Sequence, residues 1–134
     1  LGGYVKRNES REIGFHAIQR TGANHPALLR WPDRLEVYQY HEDTFTLPRG
    51  SERLLASSAC ANQAFALGRK ILGLQFHPES TREWIIGNAG SVRKGVGEAY
   101  VQTPAETAAM LEKSLSPMTE AFFAMLDDFV ESWA

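Results

Sequence analysis

Apolar and polar residues alternate through the first half of the chain and recur every three or four positions in its last third, so strands are predicted first and helices last. Over residues 11–21, Ile13, Phe15, Ala17 and Gln19 share one face of a predicted strand, with Ile18 the exception. Residues 35–41 alternate cleanly and put Leu35, Val37, Gln39 and His41 on one face. Asn24-His25-Pro26 marks a turn or a short helix start before Ala27-Leu28-Leu29-Arg30, and Pro48-Arg49-Gly50 marks a second turn. Residues 52–58 read as a short strand. Residues 63–67 and 70–76 flank Gly68-Arg69, which predicts a β-hairpin.

The pattern then changes period. Ser80 or Thr81 is placed to cap a helix running to about Asn88 and ended by Gly87 or Gly90. Residues 91–102 hold three charges and two glycines and read as a mobile loop. Thr103-Pro104-Ala105-Glu106 is a capping box with proline at the first helical position, starting a helix to about Leu115. Ser116-Pro117 predicts a new start and a third helix to the C-terminus, with Met118, Phe122, Met125, Leu126, Phe129 and Trp133 as its apolar stripe. Residues 103–134 form a helical tail expected to pack on a sheet face. The sum is an α/β fold whose sheet is expected to be mixed, because a hairpin is present.

Composition narrows the function classes. The 134 residues are 43% hydrophobic with a formal net charge of -2, which gives no basic surface for nucleic acid. No apolar run approaches the roughly 20 residues that span a membrane, and no secretory signal pattern opens the chain. A single cysteine, Cys60, makes no internal disulfide and fits a reducing, cytoplasmic setting. The histidines lack metal-ligand spacing with cysteine or carboxylates, so no metal is expected. No glycine-rich phosphate motif is present, so no nucleotide cofactor is expected. Leu1-Gly2-Gly3-Tyr4 reads like a helix exit, and the expectation is that an N-terminal portion precedes it.

The candidate chemistry sits at Phe76-His77-Pro78-Glu79. Residues i and i+2 of a strand point to one face, so His77 and Glu79 are expected side by side at a strand end that Pro78 suits. A histidine held by a carboxylate is the base and orienter of a nucleophilic triad.

The stretch Gly73-Leu74-Gln75-Phe76-His77-Pro78-Glu79 resembles the C-terminal signature of class I glutamine amidotransferase domains. Val37-Tyr38-Gln39-Tyr40-His41-Glu42-Asp43-Thr44-Phe45 is similar to the block before that signature, where members often carry Trp-His-Gly-Asp. Leu54-Leu55-Ala56-Ser57-Ser58 and Asn62-Gln63-Ala64-Phe65 follow in the family's order. The resemblance covers roughly residues 1–130, is least specific in the helical tail, and extends to the stand-alone proteins similar to the amidotransferase domain of GMP synthase. It implies the C-terminal part of one flavodoxin-like domain across residues 1–134. It also implies hydrolysis of glutamine to glutamate and ammonia through a cysteine thioester, with His77 as base and Glu79 as orienter. His41, Glu42 and Asp43 fall where the family holds the α-amino and α-carboxylate groups of glutamine, by main-chain groups above all.

The chain departs from the family in lacking the Gly-x-Cys-x-Gly elbow that carries the nucleophile. The family's helix after that elbow typically ends in Leu-Gly-Gly, so the elbow and oxyanion hole are expected upstream of Leu1 and this chain alone is expected to be inactive. Cys60 has no elbow and no helix N-terminus to activate it, so it is not expected to be the nucleophile. Sheet edge left bare by absent strands implies oligomerisation, strand exchange or association with an N-terminal segment. An ammonia-accepting synthetase domain or protein is the implied partner. The alternatives are a catalytically degenerate fold used for binding or assembly, or a hydrolase of another γ-glutamyl amide.

Overall fold

The computed structural model describes all 134 residues. The first alternating run belongs to a strand longer than its pattern announces, β1 (Val5–Arg20), followed by a single 3-10 turn at Pro26–Leu28 that the His25 side chain caps. The second run is β2 (Arg34–Phe45), antiparallel to β1 from Gln19↔Arg34 to Val5↔Phe45. Between Arg7 and Glu12 the register slips, so that residues 8–11 lie opposite Glu42 alone. Such a bulge bends its strand and re-aims the side chains beside it. Asn8 pins this one by donating to the carbonyls of Ser10 and Ala59 at 2.8 and 2.9 Å.

β3 (Glu52–Ala56), β4 (Ala64–Leu67) and β5 (Ile71–Leu74) complete a five-stranded sheet in the order β2-β1-β3-β4-β5. β4 and β5 form the expected hairpin, turning through Gly68 at φ 58°, a backbone conformation that favours glycine. Every strand pair in the sheet is antiparallel, and the parallel component of the expected mixed sheet is one isolated bridge between Ile13 and Val101. The sheet curls until its ends approach: beyond β5, the His77 N–H donates to the Tyr38 carbonyl of β2 at 2.9 Å.

Curling buries both faces of β1. Phe15 packs against Tyr38 on one face, while Ile18 and Val37 are fully buried on the other. This reverses the expectation at the end of the strand, where Gln19 is exposed and the exception, Ile18, is core. The expected loop 91–102 carries no long element but is tied down at both ends. Val92 and Val101 pack with Ile13, and Gln102 N–H bonds the Ile13 carbonyl at 2.9 Å.

Two helices follow the sheet, where three were expected. α1 (Arg82–Ala89) is capped by Thr81, and α2 (Pro104–Glu131) by the capping box at Thr103 and Glu106. α2 runs unbroken through Pro117. A proline there removes one intrahelical bond, yet Leu111, Met118 and Met125 recur every seven residues across it and are all buried. The continuous apolar stripe holds the two halves on one sheet face, with Met118 Sδ 3.2 Å from the Tyr38 N–H. Farther along, Asp128 is buried and accepts from the Arg30 backbone and guanidinium at 3.0 and 2.8 Å, locking α2 to the 3-10 turn region. Neither helix is long and apolar enough to cross a membrane.

Candidate active site

Phe76 anchors the chain as it leaves β5, buried with its ring beside Trp31. The next four residues turn tightly. Ser80 N–H bonds the His77 carbonyl at 3.3 Å, and Pro78 occupies the turn position whose φ it pre-sets. β5 has already stopped at Leu74, so His77 and Glu79 meet across this turn rather than along a strand face. His77 Nδ1 lies 2.8 Å from Glu79 Oε1. An ionised carboxylate only accepts, so Nδ1 carries the proton and Nε2 is left as the basic nitrogen. No protein group bonds Nε2, and the imidazole is 37% exposed.

Aromatic rings connect this pair to β2. Trp84 of α1 packs beside the His77 ring at 6.3 Å and edge-on against Tyr38 and Tyr40 at 5.9 and 5.5 Å. Tyr40 also lines a cleft of roughly 470 Å³ with Arg7, Arg11, Ile13, His41, Glu42, Asp43, Ser91, Val92 and Arg93. Charges of both signs meet there. Arg7 bridges Glu42 at 2.6 Å and Asp43 at 3.6 Å, and Arg11 lies 3.6 Å from Glu42. Arg11 also clasps Glu98 at 2.7 Å, and its guanidinium holds the Glu98 carboxyl down to about 2. The Arg93 guanidinium bonds only backbone carbonyls, those of Gly90 and Val92.

His41, Glu42 and Asp43 therefore diverge. The two carboxylates reach the cleft, while the His41 ring turns inward and is buried. Its Nε2 lies 2.7 Å from Glu12 Oε2, and its Nδ1 2.8 Å from the Asp43 carbonyl oxygen. Both ring nitrogens are occupied, so His41 has none to offer a ligand. Glu12 was not singled out in the sequence, nor were Tyr40 and Trp84 as a bridge to His77. The signal for Glu12 was a carboxylate directly before the β1 core residue Ile13.

Cys60 belongs to the same interior and not to the neighbourhood of His77. It is buried, with Sγ 3.2 Å from Thr44 Oγ1 and 3.8 Å from the Asn62 carbonyl. Burial pushes its thiol up, which disfavours the thiolate that nucleophilic attack requires. Glu12, His41 and Cys60 offer donor atoms within 4.8 Å of one another, the one group in the molecule with a metal-like donor set. Each of the three already bonds protein groups.

Residues 1–84 match the family model for glutamine amidotransferase class-I. Over 80 residues the chain is 41% identical to the GMP synthase (glutamine-hydrolyzing) of Thermomicrobium roseum, a match that spans 59% of this chain and 15% of that protein. The crystal structure of a glutamine amidotransferase from Thermotoga maritima superimposes with a TM-score of 0.78 at 30% identity, covering 97% of this chain and 56% of its own. That of a glutamine amido transferase from Methylobacillus flagellatus gives a TM-score of 0.85 at 24% identity over the same shares, which speaks to the fold. The chain thus spans 56% of each of these structures and 15% of the synthase.

Proposed function

We propose, for a chain that belongs to the glutamine amidotransferase class I family, that it supplies the base, the orienter and the substrate-holding strand end of a glutamine-hydrolysing site. The observation that carries this is the His77–Glu79 pair: Nδ1 bound to a carboxylate at 2.8 Å, on an imidazole that is 37% exposed and has no protein partner at Nε2. That arrangement fixes the tautomer and leaves Nε2 free as a base, as acyl transfer from an amide requires.

The reaction needs a thiolate, and Cys60 is buried, protonated and engaged elsewhere. The nucleophile is therefore a cysteine outside these 134 residues, and the chain alone is inactive. Once His77 Nε2 has taken its proton, that thiolate attacks the side-chain amide carbon of glutamine. The tetrahedral intermediate collapses, the C–N bond breaks, and Nε2–H passes the proton to departing ammonia. Water then attacks the thioester carbon as Nε2 takes its proton; the C–S bond breaks, Nε2–H returns that proton to the sulfur, and glutamate leaves with the thiol restored. Glu79 stabilises the imidazolium formed at each transfer. The end of β2 at His41, Glu42 and Asp43 holds the amino-acid head of glutamine, with backbone groups and the mixed charges of the cleft as its means. The GMP synthase relative points to a synthetase domain or protein as acceptor of the ammonia.

The test is L-glutamine hydrolysis by the protein expressed from the complete reading frame. His77→Ala is expected to lower kcat by about 10²- to 10⁴-fold, the usual worth of general acid–base catalysis. Glu79→Gln is expected to lose about 10²-fold through a misoriented base, and Cys60→Ser to retain activity. Loss of activity in Cys60→Ser with His77→Ala unaffected overturns the reading. A complete protein that binds glutamine without turnover assigns the fold to binding instead.

A further inference from the structure

Inside the curled sheet, beneath residues 41–43 of β2, lies a fully buried carboxylate that the proposed reaction does not use. Glu12 accepts from Ser57 Oγ at 2.8 Å and Gln63 Nε2 at 2.6 Å, and His41 Nε2 lies 2.7 Å from its Oε2. The Ser57 hydroxyl is in turn held by the Gln63 amide and the Cys60 N–H, each at 3.0 Å. Proton counting follows from these partners. The Asp43 carbonyl only accepts, so His41 Nδ1 carries a proton. A carboxylate that accepts from both Ser57 and Gln63 is stabilised in its ionised form, and an ionised Glu12 calls for a proton on Nε2 too. The two side chains are only 5% and 0% exposed.

A buried ion pair is a weak source of stability, because desolvation offsets its attraction. Its geometric consequence is specific. The His41 ring is fixed at one end by Glu12 and at the other grips the Asp43 carbonyl, two residues along its own strand, beside the bulge where Glu42 faces four residues of β1. The Glu12–His41 spacing also argues for a hydrogen bond over shared metal coordination, since two ligands about 2.0–2.2 Å from a tetrahedral zinc lie about 3.3 Å apart.

We propose that Glu12 is the positioning residue of the 41–43 stretch of β2: by holding His41 doubly protonated, it locks the Asp43 carbonyl and presents the backbone of Glu42 and Asp43 to the cleft in a single conformation. The role of that stretch toward glutamine rests on the function proposed above; the lock itself does not.

The experiment has two arms on the protein from the complete reading frame. In ¹⁵N NMR, the wild-type His41 ring is expected to show both N–H groups. In Glu12→Gln, the ring is expected to lose one proton, and the backbone order parameter at residues 42–43 to fall from about 0.85 toward 0.6 or below. In kinetics, Glu12→Gln is expected to raise KM for L-glutamine at least about tenfold (about 1.4 kcal/mol) with kcat within a few-fold of wild type. Met125→Ala, a core variant on α2, is expected to lower stability without moving KM or the His41 signals. A wild-type ring with a single proton overturns the proposal and needs no variant to fold. Stoichiometric zinc that shifts the His41 signals on chelation overturns it equally, as does Glu12→Gln with unchanged order at residues 42–43 and unchanged KM. A wild-type protein without glutaminase activity sinks the proposed function, and the NMR arm then decides the lock alone.

Discussion

Substituting Gly14 by alanine is expected to unfasten β1 from the segment that leads into α2. Gly14 sits at φ 105°, and a Cβ there would lie 2.7 Å from the Gln102 Cβ and Cδ. The Gln102 side chain occupies that space because it acts as a piece of strand, accepting from the Phe15 N–H at 2.9 Å and donating to the Phe15 carbonyl at 2.8 Å. Alanine at this position costs about 1–2 kcal/mol in left-handed backbone strain. It also displaces Gln102, leaving buried backbone groups of Phe15 unpaired at about 1–3 kcal/mol. The expected loss is about 2–5 kcal/mol, read as a fall in urea midpoint with unchanged slope. A double-mutant cycle separates the two contributions. In a Gln102→Gly background, which also lacks the Cβ at 102, the steric conflict is gone, so Gly14→Ala is expected to cost only the backbone strain, and the coupling energy is expected to be about 1–3 kcal/mol. Additive losses, or a Gly14→Ala cost under about 1 kcal/mol, would refute the reasoning that glycine is there to admit Gln102.

Two more expectations are open to measurement. Glu98 has its carboxyl lowered from an ordinary 4.5 to about 2, first by its bond to Arg11 and then by the Gly95 N–H. A depressed carboxyl contributes stability above its unfolded value and loses it as pH falls toward the folded one, so the 93–98 segment is expected to loosen between about pH 4.5 and 2. A ¹³C carboxyl titration follows it, and Glu98→Gln is expected to show the loosened segment already at neutral pH. Pro117→Ala is expected to stabilise the protein by about 1–3 kcal/mol, because it restores an N–H to a continuous helix; thermal unfolding at a lower temperature than wild type would contradict an unbroken α2.

The sequence was most legible where one local rule governed the outcome. The Gly68 hairpin, the Thr103–Glu106 capping box and the Thr81 cap all formed where their residues predicted them. Pro117 was misread because its local penalty is outweighed by burial of Leu111, Met118 and Met125 in one phase, which is a tertiary effect. Ile18 and Gln19 were misassigned for a related reason: a single-face pattern cannot anticipate a sheet that curls and buries both faces of β1. At the site, His77 and Glu79 were found by their spacing, although a turn and not a strand joins them. His41 was singled out for the cleft and does line it, but its ring nitrogens are taken by the Asp43 carbonyl and by Glu12, 29 positions earlier. No spacing rule links a residue on β1 to one on β2 across a bulge. The 91–102 segment was read from its charges and glycines, which report nothing about the Val92, Val101 and Ile13 contacts that tie down its ends.

The central claim is that His77 serves a thiolate that is not Cys60. Its most direct test is covalent trapping with a diazoketone analogue of L-glutamine, which alkylates the nucleophile of a glutamine-hydrolysing site, followed by peptide mapping of the protein from the complete reading frame. The account expects a single adduct on a cysteine outside residues 1–134, formed at least about 10²-fold more slowly in His77→Ala. An adduct on Cys60, or labelling at an unchanged rate without His77, would contradict it.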